Sequence, residues 1–159
     1  MKPESPGGIA RRDLLLAAAT LPLALTPARA AELPAAHNLK DELASALARR
    51  EPLVLMVSLE GCAFCKIVRN NYLAPMHQEE RLHVAQVDMR TRTRVLDFQG
   101  KAVTHDDLAR QWKIRIAPTV LFFGRGGAEV AERLVGGYIQ DFYGAYLDQR
   151  LAQARASIK

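Results

Sequence analysis

Cysteine is nearly absent from this chain, whose 159 residues contain only Cys62 and Cys65. Aromatic residues are also sparse, at 6% with a single tryptophan, and the longest apolar stretch, over 14–25, falls short of the roughly 20 residues of a membrane-spanning helix. Two cysteines alone supply at most half of a structural zinc site, which takes four ligands. The sequence therefore raises one question, which is why both cysteines stand in a single C-x-x-C motif.

The first 30 residues have the features of an export signal. A pair of arginines precedes the apolar stretch over 14–25, which Pro22 interrupts, and residues 28–30 (ARA) give an A-x-A cleavage pattern. We predict a cleavable, twin-arginine-like signal over residues 1–30, with a general secretory signal as the alternative. Either signal would place the mature protein in the bacterial periplasm, with no stable membrane span.

The rest of the chain is long enough for one hydrophobic core but not for two domains. We expect a short extension over 31–36 and one domain over 37–159. Without the signal, Lys and Arg exceed Asp and Glu by only three. The basic residues are scattered apart from the row Arg90, Arg92 and Arg94, so we predict that the protein does not bind nucleic acid. We also expect it to be a monomer.

Hydrophobic periodicity alternates between helical and strand-like segments. It predicts helices over 37–50, 62–73, from 104 onward and over 140–156, strands over 53–59, 82–89, 120–123 and 129–135, and a hairpin within 95–103. We expect Pro75 to end or kink the second helix. Strands that alternate with helices predict an α/β fold, a mixed central sheet with helices on both faces.

The C-x-x-C pair is compatible with a metal site, a structural staple or a redox pair. A metal site lacks further ligands at the spacing of a zinc finger: His77 and His83 are spaced as H-x5-H, but only 11 residues separate Cys65 from His77, fewer than the 12–15 of that motif. A disulfide across two residues closes too small a loop to stabilise a fold appreciably. The strand-to-helix boundary favours a redox pair, because the first N–H groups of a helix would stabilise a thiolate on Cys62 while Cys65 lies partly shielded.

A second motif, Ile116-Ala117-Pro118-Thr119, precedes the apolar segment VLFF. With C-A-F-C after a strand and the order of elements, it resembles the thioredoxin superfamily over about residues 37–156. The resemblance implies a thioredoxin-like fold in which Cys62 is the nucleophile and Cys65 the resolving thiol. It also implies a cis Pro118 beside the cysteines, with Ala117, Pro118, Ala63 and Phe64 in contact with the substrate.

Three positions differ from the pattern of cytoplasmic thioredoxins. Gly61 replaces a tryptophan before the first cysteine, and Met56 and Gln86 replace a buried Asp and its neighbouring Lys. The usual buried proton acceptor is therefore missing, and Glu60 is a candidate substitute. The hairpin-like insertion over 95–104 (VLDFQGKAVT) and the predicted export look more like the periplasmic thioredoxin-like proteins of sulfur-oxidation and cytochrome-maturation systems.

The sequence thus predicts a periplasmic thiol-disulfide oxidoreductase that uses the Cys62–Cys65 pair, without a metal or another cofactor. Its expected partners are thiols or disulfides of periplasmic proteins and a membrane-borne thiol electron donor. We favour a reductant over an oxidant, and an isomerase ranks last because a dimerisation domain is lacking. A non-catalytic adaptor or Cu(I) metallochaperone is the alternative from another class, because soft thiolates suit Cu(I).

Overall fold

The computed structural model describes residues 32–79, 82–137 and 140–158. The predicted export signal over 1–30 lies outside these residues. Within the described ranges, no helix combines the length and the apolar character needed to cross a bilayer.

Helices and strands alternate along the described chain, in the predicted order. The helices are α1 (Leu39–Ala48), α2 (Ala63–Val68), α3 (Ala74–Gln78), α4 (His105–Gln111) and α5 (Gln140–Ser157). The strands are β1 (Leu53–Ser58), β2 (Val84–Asp88), β3 (Arg94–Leu96), β4 (Ala102–Thr104), β5 (Thr119–Phe123) and β6 (Leu134–Val135).

The main sheet has the strand order β2-β1-β5-β6. Strand β1 is parallel to β2 and antiparallel to β5, and β6 is antiparallel to β5. All six residues of β1 are buried, as its unbroken apolar sequence predicts for a central strand. The predicted mixed sheet is confirmed.

Side chains of β1 alternate between two hydrophobic clusters, one on each face of the sheet. Met56 belongs to the cluster that α2 and α5 cover, whereas Leu55 and Val57 belong to the cluster that α1 and α4 cover. The alternation follows from the two-residue period of a strand. Helices therefore flank both faces of the sheet, as predicted.

The helix that follows the cysteine motif does not end at Pro75. It changes into a π-helical turn over Arg69–Leu73, where the N–H of Ala74 donates to the carbonyl of Arg69, and continues as α3. Pro75 lies in the first turn of α3, where a missing N–H costs little. The irregularity that proline was expected to cause thus precedes it.

Part of the predicted N-terminal extension pairs with the outer edge of β2. The N–H of Ala36 donates to the Gln86 carbonyl, and the N–H of Gln86 donates to the Pro34 carbonyl, both at 2.8 Å. Leu33 and Ala36 are buried. This segment consequently covers an edge strand that would otherwise expose its backbone groups.

The predicted hairpin forms a separate two-stranded sheet, β3-β4. Phe98, in its turn, packs against Phe123 of the main sheet with ring centroids 4.8 Å apart. The ring centroid of Trp112, which follows α4, lies 5.3 Å from that of Phe123. The inserted hairpin is therefore anchored to the core by an aromatic cluster.

Candidate active site

The cysteine motif begins in the tight turn between β1 and α2. Gly61 has φ +75°, a conformation that disfavours side chains with a Cβ, so glycine suits this turn. Cys62 follows as the N-cap residue of α2, and its Sγ accepts a hydrogen bond from the Cys65 N–H at 3.1 Å. The sulfur therefore occupies the place where a helix start stabilises negative charge.

The two cysteines form a disulfide, with their Cα atoms 5.2 Å apart. Cys62 is half-buried, whereas Cys65 is only 1% exposed. An incoming substrate can reach Cys62 but not the shielded Cys65. The pair thus has the accessibility that an attacking and a resolving cysteine require.

The loop before β5 lies next to Cys62. The Ala117–Pro118 peptide bond is cis, and the carbonyl oxygen of Ala117 is 3.8 Å from the Cys62 Sγ. Two hydrogen bonds of 2.7 Å hold the loop: the Thr119 hydroxyl donates to the Ile116 carbonyl, and the Gly136 N–H donates to the Pro118 carbonyl. A fixed backbone edge is therefore presented beside the disulfide.

Apolar side chains are exposed near this loop. Phe64 is 45% exposed, Ile116 55% and Val135 46%. Gly137 lies between the cysteine helix and the Pro118 loop, because a Cβ built on it would lie within 3.3 Å of Phe64, Pro118 and Val68. Of the predicted substrate-contact residues, Phe64, Ala117 and Pro118 thus surround the disulfide, and Ala63 is exposed at the start of α2. Their roles in substrate binding stay predictions.

A group of polar residues lies beside Cys62, and sequence analysis identified only Gln86 among them. Arg69 donates from Nε to the Gln86 Oε1 at 2.8 Å and from an Nη to the Ser58 Oγ at 3.2 Å. Gln86 in turn donates from Nε2 to the Asp88 Oδ1 at 2.7 Å. A signal was available for Arg69, because it stands seven residues after Cys62 and so shares its helix face.

Met56, which the resemblance aligns with the buried acid of cytoplasmic thioredoxins, is fully buried in the apolar cluster. Its neighbour across the parallel strands is Gln86. Glu60, the candidate substitute for the acid, is exposed. Among the described residues, no group of three or more His, Cys, Asp or Glu side chains is arranged to hold a metal ion.

A family model described as a thioredoxin-like domain matches residues 39–151. Among solved structures, the chain is similar to one described as DsbH oxidoreductase, with 18% identity, a TM-score of 0.51, and coverage of 82% of this chain and 92% of that one. It is also similar to thioredoxin f from spinach chloroplast, with 17% identity, a TM-score of 0.50, and coverage of 77% and 96%. No curated protein matches the chain. At these identities the solved structures support the fold alone.

Proposed function

Because the chain belongs to the thioredoxin-like domain family and is a thiol-disulfide oxidoreductase, we propose that it acts in the bacterial periplasm as a reductant of disulfides in partner proteins. The observation that carries the proposal is the asymmetry of the pair. Cys62 is accessible and accepts the Cys65 N–H, whereas Cys65 is buried one helical turn further on.

The exchange begins from the reduced pair. The Cys62 thiolate attacks one sulfur of the client disulfide, whose S–S bond breaks, and the departing sulfur takes up a proton. Cys65 then loses its proton and attacks the Cys62 sulfur. This step forms the Cys62–Cys65 disulfide and releases the second client thiol. Two electrons pass from the protein to the client, and a membrane-borne dithiol donor restores the reduced pair.

The backbone beside Cys62 suits an extended client segment. The loop carbonyl of Ala117 lies against the disulfide, and backbone groups of such a loop can pair with an added strand. Phe64, Ile116 and Val135 offer exposed apolar surface to the client side chains. A protein segment with apolar residues near its cysteine therefore fits this region.

A reductant role follows from the expected compartment. Bacterial periplasm favours disulfides, so particular clients need a dedicated source of electrons. A Cys62–Cys65 reduction potential near −270 mV, at the thioredoxin end of the range, would support a reductant, whereas a value near −120 mV would indicate an oxidant. Equilibration with glutathione or dithiothreitol buffers measures it.

Trapping tests the exchange itself. Cys65→Ser should accumulate a mixed disulfide between Cys62 and its client in periplasmic extract, because the resolving thiol is gone. Cys62→Ser is the matched control and should trap nothing. If neither variant forms a mixed disulfide and reduced wild-type protein does not reduce a protein disulfide such as insulin, the proposal is wrong.

A further inference from the structure

A pocket of about 350 Å³ opens beside Cys62. Its lining includes Cys62, Lys66 and Arg69 from the helix, Glu60 from the preceding turn, and Gln86 and Asp88 from β2. No residue of the Pro118 loop lines it. The pocket is therefore distinct from the apolar surface near Pro118, although both reach the attacking cysteine.

One wall of the pocket is cationic. Cys62, Lys66 and Arg69 are spaced by four and three residues, which places them on one face of the helix. Arg69 is half-buried and is fixed by two neutral acceptors, the Gln86 amide oxygen and the Ser58 hydroxyl. Among the residues that the structure describes, no carboxylate lies within 4.0 Å of its guanidinium. Arg69 is therefore an oriented cation whose charge is not compensated by a direct ion pair.

Strand β2 contributes a carboxylate, Asp88, to the lining of the same pocket. Asp88 accepts the Gln86 Nε2–H at 2.7 Å, while Gln86 accepts from Arg69 at 2.8 Å. The cation and the carboxylate are thus separated by one amide group and two hydrogen bonds. An α-amino acid group carries its carboxylate and its ammonium on one carbon, so these two groups are about as far apart as the oxygen and nitrogen of an amide. It can therefore accept from Arg69 and donate to Asp88 in the same way as the Gln86 amide does.

We infer that this pocket binds the amino-acid end of a small disulfide, with the substrate carboxylate at Arg69 and its ammonium at Asp88. The inference rests on the proposed exchange at Cys62 and names a substrate class for it. With cystine as the probe, the Cys62 thiolate attacks one sulfur and the first cysteine leaves, protonated. Cys65 then displaces the second, so that the protein dithiol is oxidised and one cystine becomes two cysteines.

Four probes with similar skeletons test the assignment. Cystine carries both charges, cystamine only the ammonium, 3,3′-dithiodipropionate only the carboxylate, and 2-hydroxyethyl disulfide neither. Fully reduced protein is mixed with each, quenched with acid, and its thiols are counted by mass spectrometry. Leaving thiols differ in intrinsic reactivity, so each probe is first described by the ratio of the variant's rate to the wild-type rate. That ratio is then divided by the corresponding ratio for the neutral probe, which gives the normalised ratio.

Arg69→Gln should lower this normalised ratio about fivefold for cystine and dithiodipropionate and leave cystamine unchanged, as expected for one lost charge contact. Asp88→Asn keeps an oxygen for the Gln86 amide, and it should lower the ratio similarly for cystine and cystamine only. Arg125→Gln, an exposed arginine after the far end of β5, is the control and should change none of the ratios.

If Arg69→Gln or Asp88→Asn slows all four probes equally, the residue acts on the cysteines alone and the inference is wrong. Unfolding curves identify a variant that does not fold. For that case wild-type protein supplies the test: raising salt from 20 mM to 1 M should slow cystine several-fold more than 2-hydroxyethyl disulfide, because salt screens the pocket charges. Equal slowing overturns the inference, whereas failure of the reduced protein to react with both the neutral probe and insulin overturns the proposed function instead.

Discussion

Gly137 packs directly against Pro118. A Cβ built on Gly137 would lie 3.3 Å from the Pro118 Cγ and 3.2 Å from the Phe64 Cβ. Both distances are tighter than ordinary van der Waals contact, so a methyl group here would have to displace the surroundings of the disulfide. Gly137, which follows β6, thereby helps to set the shape of the region around Pro118 and Phe64.

Gly137→Ala should therefore slow disulfide exchange with a protein substrate by roughly three- to tenfold, because small displacements near reacting atoms are costly. It should also destabilise the fold by about 1 kcal/mol through overpacking. The measurements are kcat/KM for insulin reduction and urea unfolding.

Gly144→Ala in α5 is the matched control. Its Cβ would meet Tyr72 at 3.4 Å or more, and alanine should stabilise the helix by up to about 1 kcal/mol. Unchanged kinetics for Gly137→Ala would contradict the packing argument.

The reduced cysteines should differ sharply in alkylation. Cys62 is accessible and its Sγ accepts a hydrogen bond from the Cys65 N–H, whereas Cys65 is 1% exposed. With iodoacetamide at pH 6 we expect Cys62 to be modified at least about tenfold faster, since the thiolate is the reactive form. Peptide mapping by mass spectrometry measures the two rates. Similar rates in folded protein would remove the basis for assigning different roles.

The start of α4 carries a capping box that links stability to pH. The Thr104 Oγ1 accepts from the Asp107 N–H, and the Asp107 carboxylate accepts from the Thr104 N–H at 2.9 Å. Hydrogen bonds from the Thr104 side chain and backbone lower the pKa of Asp107 below its ordinary 3.8. Because the folded-state pKa is the lower one, ionised Asp107 stabilises the fold above pH 3.8, and this contribution is lost as pH falls through the folded pKa.

Thr104→Ala should cost about 1 kcal/mol at pH 7, the usual effect of a lost N-cap. Asp107→Ala should also be destabilising at pH 7, and its deficit should be smaller at pH 2, because Asp107 loses its charge as the pH falls through the folded-state pKa. Urea unfolding at both pH values checks these expectations, with the exposed Asp148 in α5 as the Asp→Ala control. An Asp107→Ala deficit that is equal at both pH values would mean that the carboxylate charge contributes nothing.

His105 joins β2 to the N-terminal segment. The Asp88 N–H donates to the His105 Nδ1 at 3.1 Å, and the His105 Nε2 lies 2.8 Å from the Ala36 carbonyl oxygen. Since Nδ1 accepts, the proton belongs on Nε2, and long-range ¹H–¹⁵N NMR should show that tautomer at pH 7.

His105→Ala should destabilise the protein by roughly 2–4 kcal/mol, because the ring is fully buried and hydrogen-bonds both the Asp88 N–H and the Ala36 carbonyl. The exposed His37 provides the control; an Nδ1–H tautomer would contradict the assignment.

Local patterns predicted the sheet and the disulfide well. The unbroken apolar sequence of β1 indicated a central strand, and the cysteines at its end indicated the site, because both signals lie within a few adjacent residues. The Arg69–Gln86 contact joins residues 17 positions apart, and its formation depends on how the helix lies over β2. Periodicity contains no information about such a contact.

The N-terminal segment was missed for a related reason. Residues 33–36 (LPAA) show no alternation typical of a strand, and their pairing with Gln86 depends on a partner 50 positions further along the chain. The π-helical turn over Arg69–Leu73 was also missed; within it Tyr72 packs against Tyr143 of α5, with ring centroids 5.1 Å apart, and that contact joins residues 71 positions apart. The export signal and the redox direction stay predictions.

The pairing of Ala36 with Gln86 bears on how the protein should be shortened for study. A truncated protein that begins at residue 37 would lose Leu33 and Ala36 from the core and leave the β2 edge bare. A bare strand edge is a template for intermolecular strand addition. Such a truncated protein would tend to self-associate in concentrated samples. A protein that begins at residue 32 keeps the segment that pairs with the edge of β2.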